Sequence, residues 1–439
     1  MNLEKRNLDK ILIEWLIILT CIGYPLQAMF VMVLKENSTN INIIFRIVYL
    51  IISMYLIITR LFNKRPYLTT VLVVFILFWV IYGMRVIYDI EIRELAFMNY
   101  SKYYVYSWAF GCSFIPALAV FFNADLINVR RLSRNLLLIL IVANICITSG
   151  LLYFSPYSLL GILESRSDLL IEIGGKQINL INSISISFYG ELLLLSSIVF
   201  LITYFKVISK KFIVLICVAY PVGIFNLLAG ASRGSMLSFI FLLLVIVTFS
   251  VVFGLQRLLQ KGNLAVSLIR SFVFFTSILI LLLFFLIYSI QKSNFTILRR
   301  MKELSQLQLT GINYDRIYMW KSAWQQFKEH PMMGDSFVNR VGQTYSHNII
   351  LESLMATGLL GTIPFLFYLA MPFYLFYRLT RRRKKHLLII FILFIAAFLL
   401  SMTSGGLFTV PEFWILSMLV IGLCSIPKNS NLTHNQLTT

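Results

Sequence analysis

Charge is what this 439-residue sequence has least of. Asp, Glu, Lys and Arg make up only 13% of it, about half the share of an ordinary soluble chain. With 59% hydrophobic residues beside them, no water-soluble fold could hide so much apolar side chain. Acid is scarcer still, with 18 Asp and Glu against 38 Lys and Arg and a formal net charge of +20. In a soluble protein that balance would point to nucleic acid. Here the basic residues sit between apolar runs, where membrane-orientation signals belong, and no nucleic-acid partner is expected. The five cysteines (Cys21, Cys112, Cys146, Cys217 and Cys424) lie in or beside apolar runs without metal-type spacing, so they read as small core residues. There is no Asp-x-Asp pair and no Cys/His cluster, so neither a metal nor another cofactor is expected. No internal repeat of the kind that marks many secondary transporters is present either.

What the sequence has instead is long apolar runs. A helix needs roughly 20 mostly apolar residues to cross the hydrocarbon core, and such runs fall near 11–34, 41–59, 67–88, 103–122, 135–154, 178–205, 212–229, 235–254, 267–290, 348–377, 387–402 and 407–426. They are continuous rather than alternating, so helices and not a barrel satisfy the backbone in lipid. The fold class expected is an all-α integral membrane protein of about twelve spans. The first run is too long for a signal-peptide core and lacks a small-residue cleavage site, so it is expected to remain. Lys and Arg number 22 in the segments expected inside and 15 in those expected outside, eight of the latter in one long loop. That bias places both termini in the cytoplasm. The organisation expected is nine spans in 1–290, an outward loop over 291–346, three spans in 347–427 and a disordered cytoplasmic tail over 428–439.

The outward loop is far longer than usual connections, and such loops are functional or disordered. Ile317, Trp320, Trp324 and Phe327 are spaced by three, four and three, giving one apolar stripe on a helix. Asn313 is its expected N-cap, and His330-Pro331 with Gly334 its stop. Around it lie Arg299, Arg300, Lys302, Arg316, Lys321, Lys328 and Arg340. These read either as a solvated basic face drawn to anionic lipid or as a site for a lipid-linked phosphate. The loop ends in Tyr345-Ser346-His347-Asn348, which places His347 in the first turn of the next span. A neutral imidazole there could serve as a base or be only a polar cap. Gly358 and Gly361 read as close helix packing, and Pro364 and Pro372 as kinks.

Ionisable residues inside spans are costly and mark functional candidates. They are Arg46, Arg85 and Glu191, with snorkelling to headgroups the competing reading for the two arginines and pairing with an arginine that for Glu191. Arg233 lies in Ala-Gly-Ala-Ser-Arg-Gly-Ser, residues 229–235, a small-residue turn whose backbone N–H groups and guanidinium could together meet a phosphate.

Three stretches resemble the Wzy polymerase and O-antigen ligase group of bacterial inner-membrane proteins. They are Ser232-Arg233-Gly234, Arg316 through Trp320 to His330-Pro331-Met332-Met333-Gly334, and Ser346-His347-Asn348 with Gly358 and Gly361. The resemblance is specific over about 225–365 and architectural elsewhere. Met332-Met333 departs from the commoner Leu-Phe type of pair. It implies a C-type glycosyltransferase-like enzyme without a metal, working at the outer face of the inner membrane on an undecaprenyl-pyrophosphate-linked oligosaccharide. His347 would be the base and Arg233 and Arg316 the pyrophosphate clamp. Arg299, Arg300, Arg340, Arg85 and Glu191 are weaker candidates for substrate binding. The reaction expected is polymerisation of repeat units for an O-antigen or capsule. The alternatives are ligation to lipid A core and, in a different class, transport by a flippase. Membrane lipids, a chain-length regulator and a flippase are the implied partners.

Overall fold

The fold is described from a computed structural model, over residues 3–34, 38–63, 69–98, 100–155, 157–173, 176–205, 207–258, 296, 297, 299, 312–380 and 385–425. The span expected at 267–290, the tail at 428–439, Arg300 and most of 291–311 lie outside the described residues.

The chain is an all-α, multi-pass membrane protein. Its elements are α1 (Leu3–Leu34), α2 (Ser38–Asn63), α3 (Thr70–Glu91), α4 (Lys102–Tyr106), a π-helical stretch (Ser107–Phe114), α5 (Ile115–Asn123), α6 (Val129–Phe154), α7 (Leu159–Glu164), β1 (Leu169–Ile173), β2 (Lys176–Ile181), α8 (Ser183–Tyr204), α9 (Lys210–Ala229), α10 (Arg233–Leu258), α11 (Ile312–Glu329), α12 (Ile349–Thr380), α13 (Leu388–Ser401) and α14 (Pro411–Ser425). Among the described residues, eight helices are long and apolar enough to cross a membrane, and the apolar parts of α10, α13 and α14 are shorter. Together they account for eleven of the twelve expected runs. Small polar residues start these helices by taking up orphan backbone donors. Thr69 accepts from Leu72 N, Asn182 from Ser185 N and Ser209 from Phe212 N. One expectation shifts. The run at 178–205 becomes helical only at Ser183, because 169–173 and 176–181 pair as an antiparallel hairpin.

The chain divides into two compact units, Met1–Leu140 with Thr310–Thr439, and Ile141–Leu309. In the first, the core is a cluster of rings from α3, α12 and α14. Phe78 lies 5.0 Å from Phe365, Phe75 5.2 Å from Tyr368 and Trp79 5.0 Å from Trp414, centroid to centroid, within the range of favourable aromatic pairs. In the second, α6, α8 and α9 are joined by buried amides. Asn226 donates to Asn144 Oδ1 at 2.9 Å and accepts from Thr148, while Asn144 donates to Tyr189 O. Every donor so placed removes a polar group that lipid could not satisfy.

The kink in α12 differs from the expected one. Besides Pro364 and Pro372, α12 is broken at Gly358, where φ is 58° and ψ −156°, a conformation essentially confined to glycine. The break frees backbone groups, and the turn after α11 takes them up. Leu359 N donates to Pro331 O at 2.8 Å, Leu360 N to Met332 O at 3.1 Å, and Asp335 N to Met355 O at 2.8 Å. A Cβ on Gly358 would lie 2.5 Å from the Met332 carbonyl, and one on Gly334 2.4 Å from the Ala356 carbonyl carbon. Gly358 therefore serves backbone contact with the loop rather than helix-on-helix packing.

Candidate active site

In the first unit the site forms where α11, the start of α12 and the corner between α13 and α14 meet. Asn348 caps α12, its Oδ1 accepting from Ile350 N at 3.0 Å and Leu351 N at 3.1 Å. His347 thus lies before the cap and not in the first turn. Its φ of 59° is unusual for a non-glycine residue and turns the imidazole back against Tyr345, ring centroids 4.6 Å apart and near-perpendicular. His347 Nδ1 is buried with no hydrogen-bond partner among the described residues. Burial first, then the nearby Arg316 guanidinium, push the imidazole from 6.5 down to about 4. A second proton would put an unpaired N–H and a second cation into the same half-buried place, so His347 is neutral at physiological pH.

Arg316, near the start of α11, donates to Ser404 Oγ at 3.2 Å. Burial pushes the Tyr345 hydroxyl up to about 12, with Glu352, Tyr104 and Tyr100 acting the same way and Arg316 opposing them. Beneath Tyr345 lies Glu352, fully buried, which sequence reasoning passed over although it is an ionisable residue in an apolar run, the signal that had marked Glu191. Its Oε1 accepts from Leu407 N at 3.0 Å and Tyr82 Oη at 3.3 Å. Its Oε2 has no partner among the described residues and lies 2.7 Å from where a Cβ on Gly406 would be, as does Tyr345 Cβ.

Arg85 and Arg340 belong to a frame behind this site. Arg85 donates to the carbonyls of Met333, Gly334 and Asp335 at 2.8–3.1 Å. Asp89, buried and not singled out from sequence, accepts from Phe337 N at 2.9 Å and lies 3.7 Å from Arg85 and 3.2 Å from Arg93. Arg340 pairs with Asp335 at 2.9 Å and Glu329 at 2.5 Å. Burial pushes the Asp335 carboxyl up, but the Gln326 hydrogen bond and the charges of Arg340, Arg93 and His330 outweigh it and hold the group below its ordinary value. Both arginines, expected to touch substrate, have partners in the protein and fasten the 331–340 segment.

The stop of α11 at Glu329 falls where His330-Pro331 placed it, but its start at Ile312 puts Asn313 inside the helix. The buried line on α11 runs through Ala323 and Gln326, while Trp324 is 44% exposed and packs on Phe327 at 5.2 Å. Gln326 is buried because it donates to Asp335 Oδ2 and Val338 O and accepts from Arg340 N. The expected aromatic stripe is therefore at the edge of the buried face.

In the second unit, Arg233 opens α10. The turn before it has Ala231 at φ 46°, and its backbone donors are already used. Gly230 N bonds Asn226 O, Ala231 N bonds Leu228 O, and Ser232 N bonds Ser187 Oγ. These three N–H groups therefore do not form a cradle for an anion. Glu191 accepts a hydrogen bond from Ser238, and no arginine pairs with it among the described residues. Arg299 is exposed.

Residues 215–366 match the family described as O-antigen ligase. That match, over about a third of the chain, supports the O-antigen polymerase and ligase family, whose members are glycosyltransferase-like enzymes. A comparison with curated proteins returned no match. The matched stretch contains Arg233, Arg316, His347 and Glu352, and excludes Arg46, Arg85 and Glu191.

Proposed function

We propose that the chain polymerises oligosaccharide repeat units carried on undecaprenyl pyrophosphate, at the outer face of the bacterial inner membrane. The observation that carries this reading is His347, its Nδ1 buried and unpartnered among the described residues, held near the Arg316 guanidinium just before α12. In the reaction, an acceptor hydroxyl attacks the anomeric carbon of the growing chain. The glycosidic C–O bond forms, the C–O bond to pyrophosphate breaks, and the electron pair leaves with the pyrophosphate. His347 takes the hydroxyl proton, and Arg316 faces the developing negative charge. The donor's own charge offsets Arg316, raising the imidazole's basicity as substrate arrives. The resemblance assigns Arg233 a cationic contact to the same lipid. The orientation rests on the basic bias of the loops, and the reaction as written needs no metal.

A deletion strain examined on a polysaccharide gel tests the reading. A single repeat left on lipid A supports the polymerase. Long chains accumulating on the polyprenyl carrier would instead identify a ligase, the reading favoured by the description of the matching family.

A further inference from the structure

Arg46 of α2, outside the matched stretch, is a cation inside a span without a carboxylate partner among the described residues. Its Nη1 donates to Ser107 Oγ at 2.9 Å, and its guanidinium lies 4.4 Å from the Tyr104 ring and 4.7 Å from the Trp108 ring. Both rings belong to the segment that passes into a π-helix at Ser107, a rare geometry found frequently at functional sites. Trp108 Nε1 is buried with no hydrogen-bond partner among the described residues. From here the rings continue. Tyr104 stacks on Tyr100 at 4.1 Å, Tyr100 on Phe97 at 6.2 Å and Phe97 on Tyr345 at 5.9 Å, and Tyr345 touches His347. An unbroken row of aromatic side chains therefore links Arg46 to His347 within one unit. Tyr100 is 46% exposed along it, Tyr104, Trp108 and Tyr345 are half-buried, and Phe97, 2% exposed, lies beneath as the buried link between Tyr100 and Tyr345.

We propose that this row is a carbohydrate-binding ledge that holds the acceptor glycan with its terminal hydroxyl at His347, an inference that rests on the transferase reading above. Sugars present C–H faces to aromatic rings and hydroxyls to phenols and guanidinium groups, and the ledge offers all three. Tyrosine combines an apolar body with a polar tip. A polyprenyl tail would use only the rings and offer nothing to the remaining N–H groups of Arg46, which has Ser107 Oγ as an acceptor for Nη1. Snorkelling, the competing account of Arg46, requires its head group to reach water, whereas here it is clasped between two rings. An interfacial aromatic belt would not require the rings to stack in sequence toward His347.

The test uses the full chain in lipid nanodiscs and, as probe, carrier-free oligosaccharides of a few repeats, released by partial hydrolysis from the producing strain's polysaccharide. Binding is read by saturation-transfer NMR and titration calorimetry, and activity by elongation of lipid-linked repeats. Tyr100→Ala, at an exposed site that should not disturb folding, and Arg46→Lys are each expected to weaken binding about tenfold. Tyr103→Ala, at a ring 73% exposed but outside the row, should bind as wild type, and His347→Ala should keep its oligosaccharide affinity. Unchanged affinity in both ledge variants, or equal loss from Tyr103→Ala, overturns the ledge. Wild-type elongation without oligosaccharide binding overturns the ledge and leaves the transferase reading standing. Neither binding nor elongation in the wild type removes both.

Discussion

Replacing Gly358 with alanine tests whether the broken helix and the loop hold each other. The substitution forces an L side chain into φ 58°, ψ −156°, at about 1–3 kcal/mol. Its Cβ would stand 2.5 Å from Met332 C and O and 2.6 Å from Gly334 N. These are backbone atoms, which cannot rotate aside, so the 331–335 turn must lift. Lifting breaks the bonds from Leu359 N, Leu360 N and Asp335 N, about 1 kcal/mol each. The expected loss is about 5 kcal/mol for the loop-bound state. Limited trypsinolysis in detergent reads it directly, since Lys328 and Arg340 flank the turn and should become rapidly cleaved. Gly23→Ala is the control, because a Cβ there meets nothing within 4 Å. A Gly358→Ala protein as trypsin-resistant and as thermally stable as the control would refute the mutual-support argument.

Three further outcomes are expected. With the His347 imidazole at about 4, the base stays unprotonated down to mildly acidic conditions, so kcat/KM for chain elongation should hold through pH 5.5 and fall only near pH 4. A limb at the ordinary 6.5 would show that the site does not depress the imidazole, and wild-type chain length in a well-expressed His347→Ala protein would show that His347 is not the base. Arg316→Gln removes the repulsion that helps to hold the imidazole down, so the limb should move upward, and loss of a cation facing the leaving group should slow turnover about 10²–10³-fold. An unchanged limb and rate would separate Arg316 from the chemistry. Asp89→Ala leaves Arg85 and Arg93 without their shared carboxylate and Phe337 N without its acceptor, at about 3–5 kcal/mol. A thermal melt within error of wild type would show that the frame does not depend on it.

The spans were legible because lipid admits few ways to satisfy a backbone, so a continuous apolar run has little else to become. The hairpin escaped because Ile178, Leu180 and Ile181 continue smoothly into the apolar run that follows, although Gly174-Gly175 between two alternating stretches is itself a turn signal. His347 precedes the first turn because Asn348, a better cap, follows it directly. The face of α11 was misjudged for a different reason. Periodicity ranks Trp324 above Gln326, but the partners that bury Gln326, Asp335 and Val338, come from a later turn. For Arg85 and Arg340 the sequence shows the charge but not the carbonyls the first meets and the carboxylates the second meets, which come from residues 329–335. Glu352 was legible in principle, and weighing buried acids as carefully as buried bases would have found it.

The motifs that gave the resemblance are three stretches in sequence but largely one mechanical object within the first unit. An intact α12 would satisfy its own backbone and offer the loop nothing directional. Broken at Gly358, it presents two donors and an acceptor that would be costly to leave unpaired in a low-dielectric setting, and the His330–Asp335 turn supplies their partners. The loop is thereby pinned to the helix that carries His347 just before its cap. From Ile349 to Gly358 is about 14 Å of helix, so the anchor lies well down the helix from the imidazole rather than beside it. Arg85 and Asp89 of α3, with Arg93 just beyond its end, also hold the same turn, and α3 is itself packed against α12 through Phe78 and Phe365. Arg316 reaches the site from α11, whose end is that turn. In the proposed reaction few residues touch the chemistry, and the others set where Arg316 and His347 stand relative to one another. A shift at Gly358 or Asp89 should therefore reach catalysis by displacing the cation from the base, without altering either group.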